Sequence, residues 1–524
     1  MEFLQDISPR DYQKQIFETC KEKNCLVVLP TGLGKTLVGL MITIHRMKQF
    51  PGEKVLFLAP TRPLAEQHLN YFKKHLPELF GEMTLFTGKI DAYNRKKLWQ
   101  FSDIIFSTPQ CIANDLKKNL YNLTEVCLLI EDEAHRCLKN YDYNYVAKEY
   151  NKYAGNPRII GLTASPGSDK QKIKEICNNL KIEEVELRQR ESSDVKEYLQ
   201  ELKFEKIKIL FPKEFEEIRH TLKKIYERYV EELRSRSVLY GPATKTSLIQ
   251  LQNKISTSLA RGNRNFNYML AASACAQAIK LQYAMELLET QTLKGFTNYL
   301  ETLLNKSKTG SRGIKRLVAK PEFTFSYLRA KELLEKNVEH PKLSHIKELV
   351  KKEKEKNERV KIIVFAQFRE TASIISENLN TINGIRAKVF IGQAKRGSGK
   401  DQRGLSQKEQ QQIIQEFSQG KINVLCATSI GEEGLDIPEV NAVIFYEPVP
   451  SAIRKIQRAG RTARLMQGKL IILITQKTRD EAYYYVSRAK EKKMYSAIDS
   501  IKQELKEPKK LKQKIQEKLS KFIP

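Results

Sequence analysis

Three features are missing from the sequence, and each excludes a class of protein. The apolar runs are short, such as Leu470 to Ile474, and none approaches the ~18 residues of a membrane-spanning helix. The eight cysteines are scattered without a CxxC pair or the spacing of a metal site. No basic region followed by an apolar stretch marks a secretory signal at the N-terminus. We therefore expect no membrane contact, a reducing cytoplasmic location, and cysteines that are small core residues.

Acidic residues are also scarce relative to basic ones. The chain has 91 Lys and Arg against 62 Asp and Glu, a net charge of +29. Residues 241–320 carry 12 basic and 3 acidic residues, net +9, and residues 451–524 carry 20 and 7, net +13. Basic side chains that neutralise phosphates release counterions, so nucleic acid is the first partner to consider. Charge alone does not establish nucleic-acid binding, because heat-adapted proteins also have Lys- and Glu-rich surfaces.

The pattern of apolar residues divides the 524-residue chain into several parts. From Asn24 to Leu187, and again from Lys342 to Arg488, short β-rich runs that end in small or polar residues alternate with helical patterns. Such alternation is typical of buried parallel strands joined by helices. Between these parts, from Phe215 to Leu233, apolar residues recur at three- and four-residue steps. The sequence predicts an α/β protein with two doubly wound parallel-sheet domains and an inserted all-helical domain. The expected domains are 1–200, 201–335 and 336–488, followed by a basic helical tail or linker at 489–524.

The segment from Leu29 to Thr36 predicts a phosphate-binding loop, because it follows a strand pattern and precedes an apolar helix pattern. In such loops backbone N–H groups approach the phosphates, Lys reaches the β and γ oxygens, and the Thr hydroxyl coordinates Mg²⁺. The first Gly of the general pattern is replaced by Leu29. The expected nucleotide-binding residues here are Pro30, Thr31, Gly32, Leu33, Gly34, Lys35 and Thr36.

An acidic pair follows the strand pattern VCLLI, in the segment Asp132-Glu133-Ala134-His135. At the carboxyl edge of a parallel sheet, Asp132 would hold the Mg²⁺ shell and Glu133 would polarise the attacking water. Acidic pairs are common in loops, so this prediction depends on the phosphate-binding loop upstream. The role of His135 stays open at this point, because it could also be a structural His held by hydrogen bonds.

Three arginines recur at three-residue steps in the second α/β part, at Arg458, Arg461 and Arg464. One interpretation is a solvated basic helix face. The other is an arginine finger, in which Arg461 and Arg464 stabilise charge on the γ-phosphate from the opposite domain. Gln457 belongs to the same segment, and the catalytic candidates are Lys35, Asp132, Glu133, Gln457, Arg461 and Arg464.

In their order along the chain, these motifs resemble those of helicase superfamily two, in its DEAH-box branch. Arg10-Asp11-Tyr12-Gln13 resembles the adenine-reading Q motif, which implies that Gln13 bonds the base edge and that Arg10 lies against it. Segments 59–64 and 107–110 are similar to strand-binding loops, which implies nucleic-acid contacts at Thr61, Arg62 and Thr108. Thr163-Ala164-Ser165 matches the motif that couples hydrolysis to strand movement.

The second domain carries the rest of the resemblance. Segments 364–368 and 427–436 resemble motifs that contact the nucleic-acid backbone and the nucleotide. This implies nucleic-acid contacts at Phe365, Gln367 and Thr428 and nucleotide contacts at Gly434 and Asp436.

The helical insertion and the segment Phe390 to Gln393 narrow the resemblance to archaeal Hef and FANCM helicases, with RIG-I-like and Dicer helicases as relatives. The resemblance implies two RecA-like domains, ATP and Mg²⁺ as cofactors, and an ATP-dependent helicase or translocase. Its expected substrates are stalled forks and four-way junctions, which places the protein at the nucleoid in DNA repair.

Hef proteins also carry an XPF-like nuclease domain, and its Glu-Arg-Lys-x-x-x-Asp pattern is not present in this sequence. The resemblance therefore implies that the chain is the helicase portion of such a protein. Its expected partners are branched DNA, an XPF-like nuclease domain, and a sliding clamp or other repair protein.

Two other functions stay open at this point. A RIG-I-like, duplex-RNA-stimulated ATPase would use the same motor motifs, because these mostly contact the backbone. A non-enzymatic nucleic-acid scaffold would have less reason to keep Lys35 and Glu133. In the helical insertion, the Lys- and Arg-rich loop at 306–320 is the expected phosphate contact. Aromatic residues such as Tyr268 and Tyr283 are expected in the core, with base stacking as the alternative.

Overall fold

The computed structural model describes residues 3–262, 266–393, 404–429, 437–460, 462 and 467–519. The strands are β1 Cys25–Val28, β2 Lys54–Leu58, β3 Met83–Phe86, β4 Ile104–Ser107, β5 Val126–Asp132, β6 Ile159–Thr163, β7 Glu184–Leu187, β8 Leu202–Ile209, β9 Ile362–Phe365, β10 Ala387–Phe390, β11 Val424–Ala427, β12 Ala442–Phe445 and β13 Gly468–Thr475.

The helices of the first domain are α1 Asp11–Glu22, α2 Lys35–Gln49, α3 Arg62–His75, α4 Ala92–Phe101, α5 Pro109–Lys117, α6 Asp142–Tyr153, α7 Lys170–Asn179 and α8 Ser193–Lys196. The later helices are α9 Lys213–Ser235, α10 Lys245–Ala260, α11 Phe266–Thr290, α12 Leu293–Thr309, α13 Arg312–Val318, α14 Pro321–Glu335, α15 Lys342–Lys356, α16 Arg369–Leu379, α17 Gln407–Ser418, α18 Ala452–Ala459 and α19 Arg479–Leu519.

The first domain is built on a seven-stranded sheet in the order β3-β4-β2-β5-β6-β1-β7. Neighbouring strands pair in parallel, so their carboxyl ends lie along one edge. Central strands such as β1 and β5 are buried along their whole length, because helices cover both faces of the sheet. The phosphate-binding loop, the acidic pair and the expected strand-binding residues therefore meet at that one edge.

The second domain is built on a six-stranded parallel sheet in the order β10-β11-β9-β12-β13-β8. The strands from β9 to β13 are those that the apolar runs predict. Strand β8 is different: it comes from before the helical region and pairs with β13 from Leu202 opposite Gly468 to Ile209 opposite Thr475. The second domain is thus completed by residues that we expected in the helical insertion.

An edge position explains why the sequence pattern does not reveal β8. Most of its residues are exposed or half-buried, and only Ile209 is fully buried. Edge strands commonly carry charged side chains, which here break the apolar pattern into LKFEKIKI. The helical region consequently begins at Lys213, the first residue of α9, and not at residue 201.

The inserted region is an all-helical bundle, as predicted. Helices α9, α11, α12 and α14 pack around one apolar cluster that includes Phe215, Leu288, Phe296 and Phe323. A second cluster joins α9, α10 and α11 around Leu233, Leu248 and Cys275. The expected loop at 306–320 instead forms the end of α12 and helix α13. Its apolar Leu317 packs inward, which explains the helical conformation.

Helix α19 begins in the second domain, and its residues 494–504 pack on the first. It follows β13 directly, and its Met494, Ala497, Ile498 and Ile501 are buried in the core of the first domain. Lys170 and Lys174 of α7 form ion pairs with Glu504 of α19. The segment expected as a tail or linker from residue 489 is therefore a packed part of the fold up to this point.

All eight cysteines are buried as free thiols, as expected of small core residues. Across the described residues, no helix combines the length and apolar character needed to span a membrane.

Candidate nucleotide and nucleic-acid site

The phosphate-binding loop connects β1 to α2, as the sequence predicts. Gly32 and Gly34 have φ of 86° and 71°, in the left-handed region that favours glycine. Lys35 begins α2, and its Nζ donates to the carbonyl of Leu29 at 3.0 Å. The N–H groups at the start of α2 face the position where an anion would lie, and the helix dipole favours negative charge there.

Gln13 is held against the phosphate-binding loop. Its Oε1 accepts from the Arg10 backbone N–H at 2.9 Å, and its Nε2 donates to the carbonyls of Leu33 at 3.2 Å and Gly34 at 3.4 Å. Tyr12 donates to the same Leu33 carbonyl at 2.9 Å. The amide expected at the base edge is thus engaged with the loop in this structure. A Cβ on Gly34 would overlap Gln13 Nε2, so the contact requires glycine.

The acidic centre lies at the end of β5, where Asp132 meets residues from two helices. His68 of α3 bridges it to the loop: Nε2 lies 2.9 Å from Asp132 Oδ2, and Nδ1 lies 3.4 Å from Thr36 Oγ1. Tyr143 of α6 donates to the Asp132 carbonyl at 2.6 Å, which fixes the backbone. Burial would raise the pKa of Asp132, but the hydrogen bond with His68 and the nearby Lys35 outweigh it, so this pKa lies below its usual value.

The donor set of this centre fits a magnesium ion bound together with a nucleotide. Mg²⁺ prefers oxygen ligands and takes one or two from the protein, with substrate phosphates and water completing its shell. Thr36 offers a hydroxyl and Asp132 an ionised carboxylate, and both groups contact the imidazole of His68. Within the described parts of the chain, no three His, Cys, Asp or Glu side chains are grouped so as to hold a metal by themselves.

Glu133 lies at the turn beyond β5, with φ of 52° in the left-handed region. Its Oε2 is 3.3 Å from His135 Nδ1, and the same nitrogen is 3.2 Å from Thr163 Oγ1. Thr163 Oγ1 also accepts from the Ser165 backbone N–H at 3.1 Å. His135 therefore lies between the expected catalytic carboxylate and the Thr163-Ala164-Ser165 motif.

The second domain reaches the phosphate-binding loop through the end of α18. A Cβ on Gly460 would overlap the side chain of Thr31, so the two domains are in contact there. Arg458 is fully buried, with its guanidinium 4.8 Å from the ring centre of Phe365 and beside Glu447. A solvated basic face is therefore ruled out for Arg458. Arg461, Arg464, Gly434 and Asp436 lie outside the described residues.

A groove of about 1340 Å³ runs between the two α/β domains and the helical bundle. Three of the expected nucleic-acid contacts line it, namely Thr61 from the first domain and Gln367 and Thr428 from the second. Gln457 lines it as well, which places this residue at the groove although we expected it among the catalytic groups. The basic residues on its walls are Arg136, Lys294, Arg369 and Arg454.

The remaining expected contacts lie elsewhere. Arg62 and Thr108 are half-buried at the first residue of α3 and just before α5, and neither lines the groove. Phe365 is fully buried in the core of the second sheet, 6.0 Å from Phe445. The Phe365 side chain cannot contact nucleic acid, because β9 is a central β-strand that is covered on both faces.

Two residues at the centre were missed by sequence reasoning. His68 lies within a helix whose start had been assigned to nucleic-acid binding, and Tyr143 lies in a helix without a motif. A lone His or Tyr in a helical pattern carries no signal of the atoms it will meet, so only the fold reveals both.

Comparisons with protein families match three parts of the chain. Residues 10–173 match the DEAD/DEAH box helicase family, and residues 341–466 match the helicase conserved C-terminal domain. Residues 214–357 match a family described as an ATP-dependent RNA helicase helical bundle.

Curated relatives resemble nearly the whole chain but are longer. A protein of Methanocaldococcus jannaschii named as an ATP-dependent RNA helicase is 40% identical over 94% of this chain and 61% of its own length. The Fanconi anemia group M protein homolog of Mus musculus is 32% identical over 95% of this chain and 26% of its own length. An ATP-dependent DNA helicase of Neurospora crassa is 33% identical over 90% of this chain and 41% of its own length. The chain thus spans between about a quarter and three fifths of these relatives.

A solved structure matches more completely. The Hef helicase domain of Pyrococcus furiosus is 41% identical, with a TM-score of 0.69, over 92% of this chain and 98% of that one. The chain therefore belongs to the FANCM/Hef type of superfamily-two helicases.

Proposed function

We propose that the chain is an ATP-dependent helicase or translocase that acts on forked or branched DNA in repair and replication restart. The observation that carries this proposal is the groove between all three parts of the fold. Its walls bring Thr61, Gln367 and Thr428 together from two domains, at the edge that also carries the phosphate-binding loop.

The chemistry of the groove suits a nucleic-acid backbone. Hydroxyl and amide groups bond phosphate oxygens without reading bases, and basic side chains add electrostatic attraction. We therefore expect little sequence preference and a strong dependence of affinity on salt.

For ATP, the proposed roles follow from the site geometry. Backbone N–H groups at 32–36 and Lys35 would bind the phosphates, and Thr36 and Asp132 would hold Mg²⁺, which neutralises phosphate charge when bound. Glu133, whose Oε2 lies 3.3 Å from His135 Nδ1, would accept the proton of the attacking water. Arg461 and Arg464 stay the proposed arginine finger, because the neighbouring Gly460 contacts Thr31 of the loop.

We propose that the helical bundle holds the duplex part of the substrate. Five basic side chains are exposed on α12 and α13; we call them the α12–α13 basic surface, and they are Lys306, Lys308, Arg312, Lys315 and Arg316. Fixed on two packed helices, these charges suit phosphates of a rigid duplex. Tyr283 lies at the groove as well as packing against Tyr299 and Phe368, so base stacking stays a proposal beside its packing role.

An RNA-directed ATPase is the second candidate. It is favoured by the names of the Methanocaldococcus relative and of the helical-bundle family, which both refer to RNA helicases. The Neurospora relative is named as a DNA helicase, and the fold is that of the Hef helicase domain, so we favour DNA.

One set of ATP turnover measurements tests these proposals. Forked DNA, a four-way junction, duplex DNA and duplex RNA would be compared at matched salt. We expect the greatest stimulation by forked or four-way DNA; greater stimulation by duplex RNA would favour the second candidate. No turnover with any of them would favour a scaffold.

Two variants assign the chemistry. Lys35→Ala should abolish turnover and keep DNA binding, and Glu133→Gln should bind ATP without hydrolysing it. Turnover equal to wild type in either variant would remove that residue from its role. Loss of about 10³-fold in kcat is expected for Arg461→Ala if it is the finger.

The partners and the location are proposed from the relatives. Because the curated relatives are longer than this chain, we propose that an XPF-like nuclease domain or a sliding clamp acts with it on branched DNA at the nucleoid. Co-purification of the protein with DNA-bound repair factors from its own cells would test this.

A further inference from the structure

His68 lies where it contacts both expected metal ligands at once. The ring is 6% exposed and packs on Phe57, with 4.4 Å between ring centres. Its two nitrogens point in opposite directions, Nε2 to Asp132 Oδ2 at 2.9 Å and Nδ1 to Thr36 Oγ1 at 3.4 Å. One rigid ring therefore fixes the separation of a carboxylate on β5 and a hydroxyl on α2.

The hydrogen bonding leaves both oxygen ligands able to bind a cation. A carboxylate only accepts hydrogen bonds, so His68 Nε2–H donates to Asp132 Oδ2; the Glu133 backbone N–H is a second donor, and the carboxylate keeps further lone pairs for a cation. The Thr36 hydroxyl then donates its hydrogen to Nδ1, and its oxygen keeps a lone pair for a cation. His68 itself is poorly suited to bind magnesium, which prefers oxygen, so its place is beside the ligands and not among them.

Helix α3 also gives His68 a connection to the groove. The helix starts immediately after Thr61, a residue of the groove wall, and reaches His68 within two turns. A displacement of the groove-facing end of α3 would therefore move the ring between Thr36 and Asp132.

We infer that His68 is a positioning residue, which holds Thr36 and Asp132 at the separation that a nucleotide-bound Mg²⁺ requires. The inference rests on the proposed function only in so far as the site binds Mg²⁺ and a nucleotide. Residues that orient metal ligands in this way commonly contribute about 10- to 100-fold to metal affinity.

The test uses binding as well as turnover. Fluorescent ADP is titrated onto the full chain at a series of Mg²⁺ concentrations, and also in EDTA. His68→Ala should raise the Mg²⁺ concentration needed for half-maximal tightening by about 10- to 100-fold. Binding in EDTA should stay unchanged, because His68 does not contact the loop N–H groups.

His68→Gln and His75→Gln make the test specific. Gln places an amide near the position of Nε2, so His68→Gln should keep the hydrogen bond to Asp132. Its required Mg²⁺ concentration should therefore rise less than that of His68→Ala. His75 lies seven residues further on the same helix, is equally buried at 6% exposed, and contacts the Gln5 carbonyl at 2.9 Å. His75→Gln should therefore alter stability alone.

An unchanged Mg²⁺ dependence in folded His68→Ala or His68→Gln would overturn the inference, and so would an equal shift in His75→Gln. If His68→Ala does not fold, the Gln variant decides. Failure of the proposed function is separate: wild-type protein that binds Mg²⁺ and ADP as described but is not stimulated by any nucleic acid would retain the inference and reject the helicase assignment.

Discussion

At the scale of single residues, the most unusual group is Glu131, one position before the acidic pair. It is fully buried beside the Cys137 thiol, and burial raises its pKa to about 8. The folded protein therefore keeps Glu131 protonated at neutral pH, whereas the unfolded chain ionises near 4.5. The stability contributed by the neutral form is complete below 4.5 and is lost as the pH rises toward 8.

Glu131→Gln should remove this pH dependence. Each pKa unit corresponds to about 1.4 kcal/mol, so the variant should gain stability relative to wild type at pH 8 and little at pH 4.5. Denaturant unfolding at the two pH values measures the difference, and Glu125→Gln at an exposed position before the same strand is the control. A variant with the wild-type pH profile would show that Glu131 is already ionised in the folded state.

Residues that belong to a local motif could be predicted, and residues that act through the fold could not. Lys35, Thr36 and Asp132 lie where the sequence predicts, because a strand, a loop and a helix define their positions locally. Gln13 and Phe365 differ, since their surroundings are set by the loop and the sheet that pack against them.

At the scale of elements, the α12–α13 basic surface should determine part of the salt dependence of DNA binding. Replacing Lys315 and Arg316 by Ala should weaken binding of forked DNA without regard to sequence. It should also reduce the slope of log affinity against log salt by about 2, one for each lost phosphate contact. Turnover without DNA should not change, because both side chains lie outside the nucleotide site.

A matched control for this prediction lies on α15, where Lys351 and Lys352 are also adjacent and exposed. Their double Ala variant loses the same charge from the second domain and should keep the wild-type salt slope. Equal changes in both double variants would mean that net charge, and not this surface, determines affinity.

The elements that could be predicted are those with a continuous apolar run or a regular apolar period. Central strands such as β1, β5 and β12 have continuous apolar runs, and the amphipathic α9 has a regular period. Strand β8 is exposed on much of its surface and pairs with a strand that is distant in sequence, so neither periodicity nor neighbours indicate it.

At the scale of the whole molecule, α19 joins the two α/β domains. Ile498 is fully buried in the first domain's core, which also contains Trp99, the single tryptophan. Ile498→Ala should destabilise that domain by about 2–5 kcal/mol. Tryptophan fluorescence during denaturant unfolding therefore reports on the domain that α19 supports.

Val486→Ala provides the control on the same helix, because Val486 is 42% exposed. It should leave the fluorescence transition unchanged. If Ile498→Ala also leaves it unchanged, α19 does not contribute to the stability of the first domain.

The path of α19 has a consequence for how the protein is made. The first domain leaves the ribosome early, yet the apolar segment from Met494 to Ile501 that completes its core is synthesised after both other parts of the fold. At about 5–20 residues per second, the wait is on the order of tens of seconds. During that time the nascent first domain exposes an uncovered apolar face, which is the kind of surface that chaperones bind.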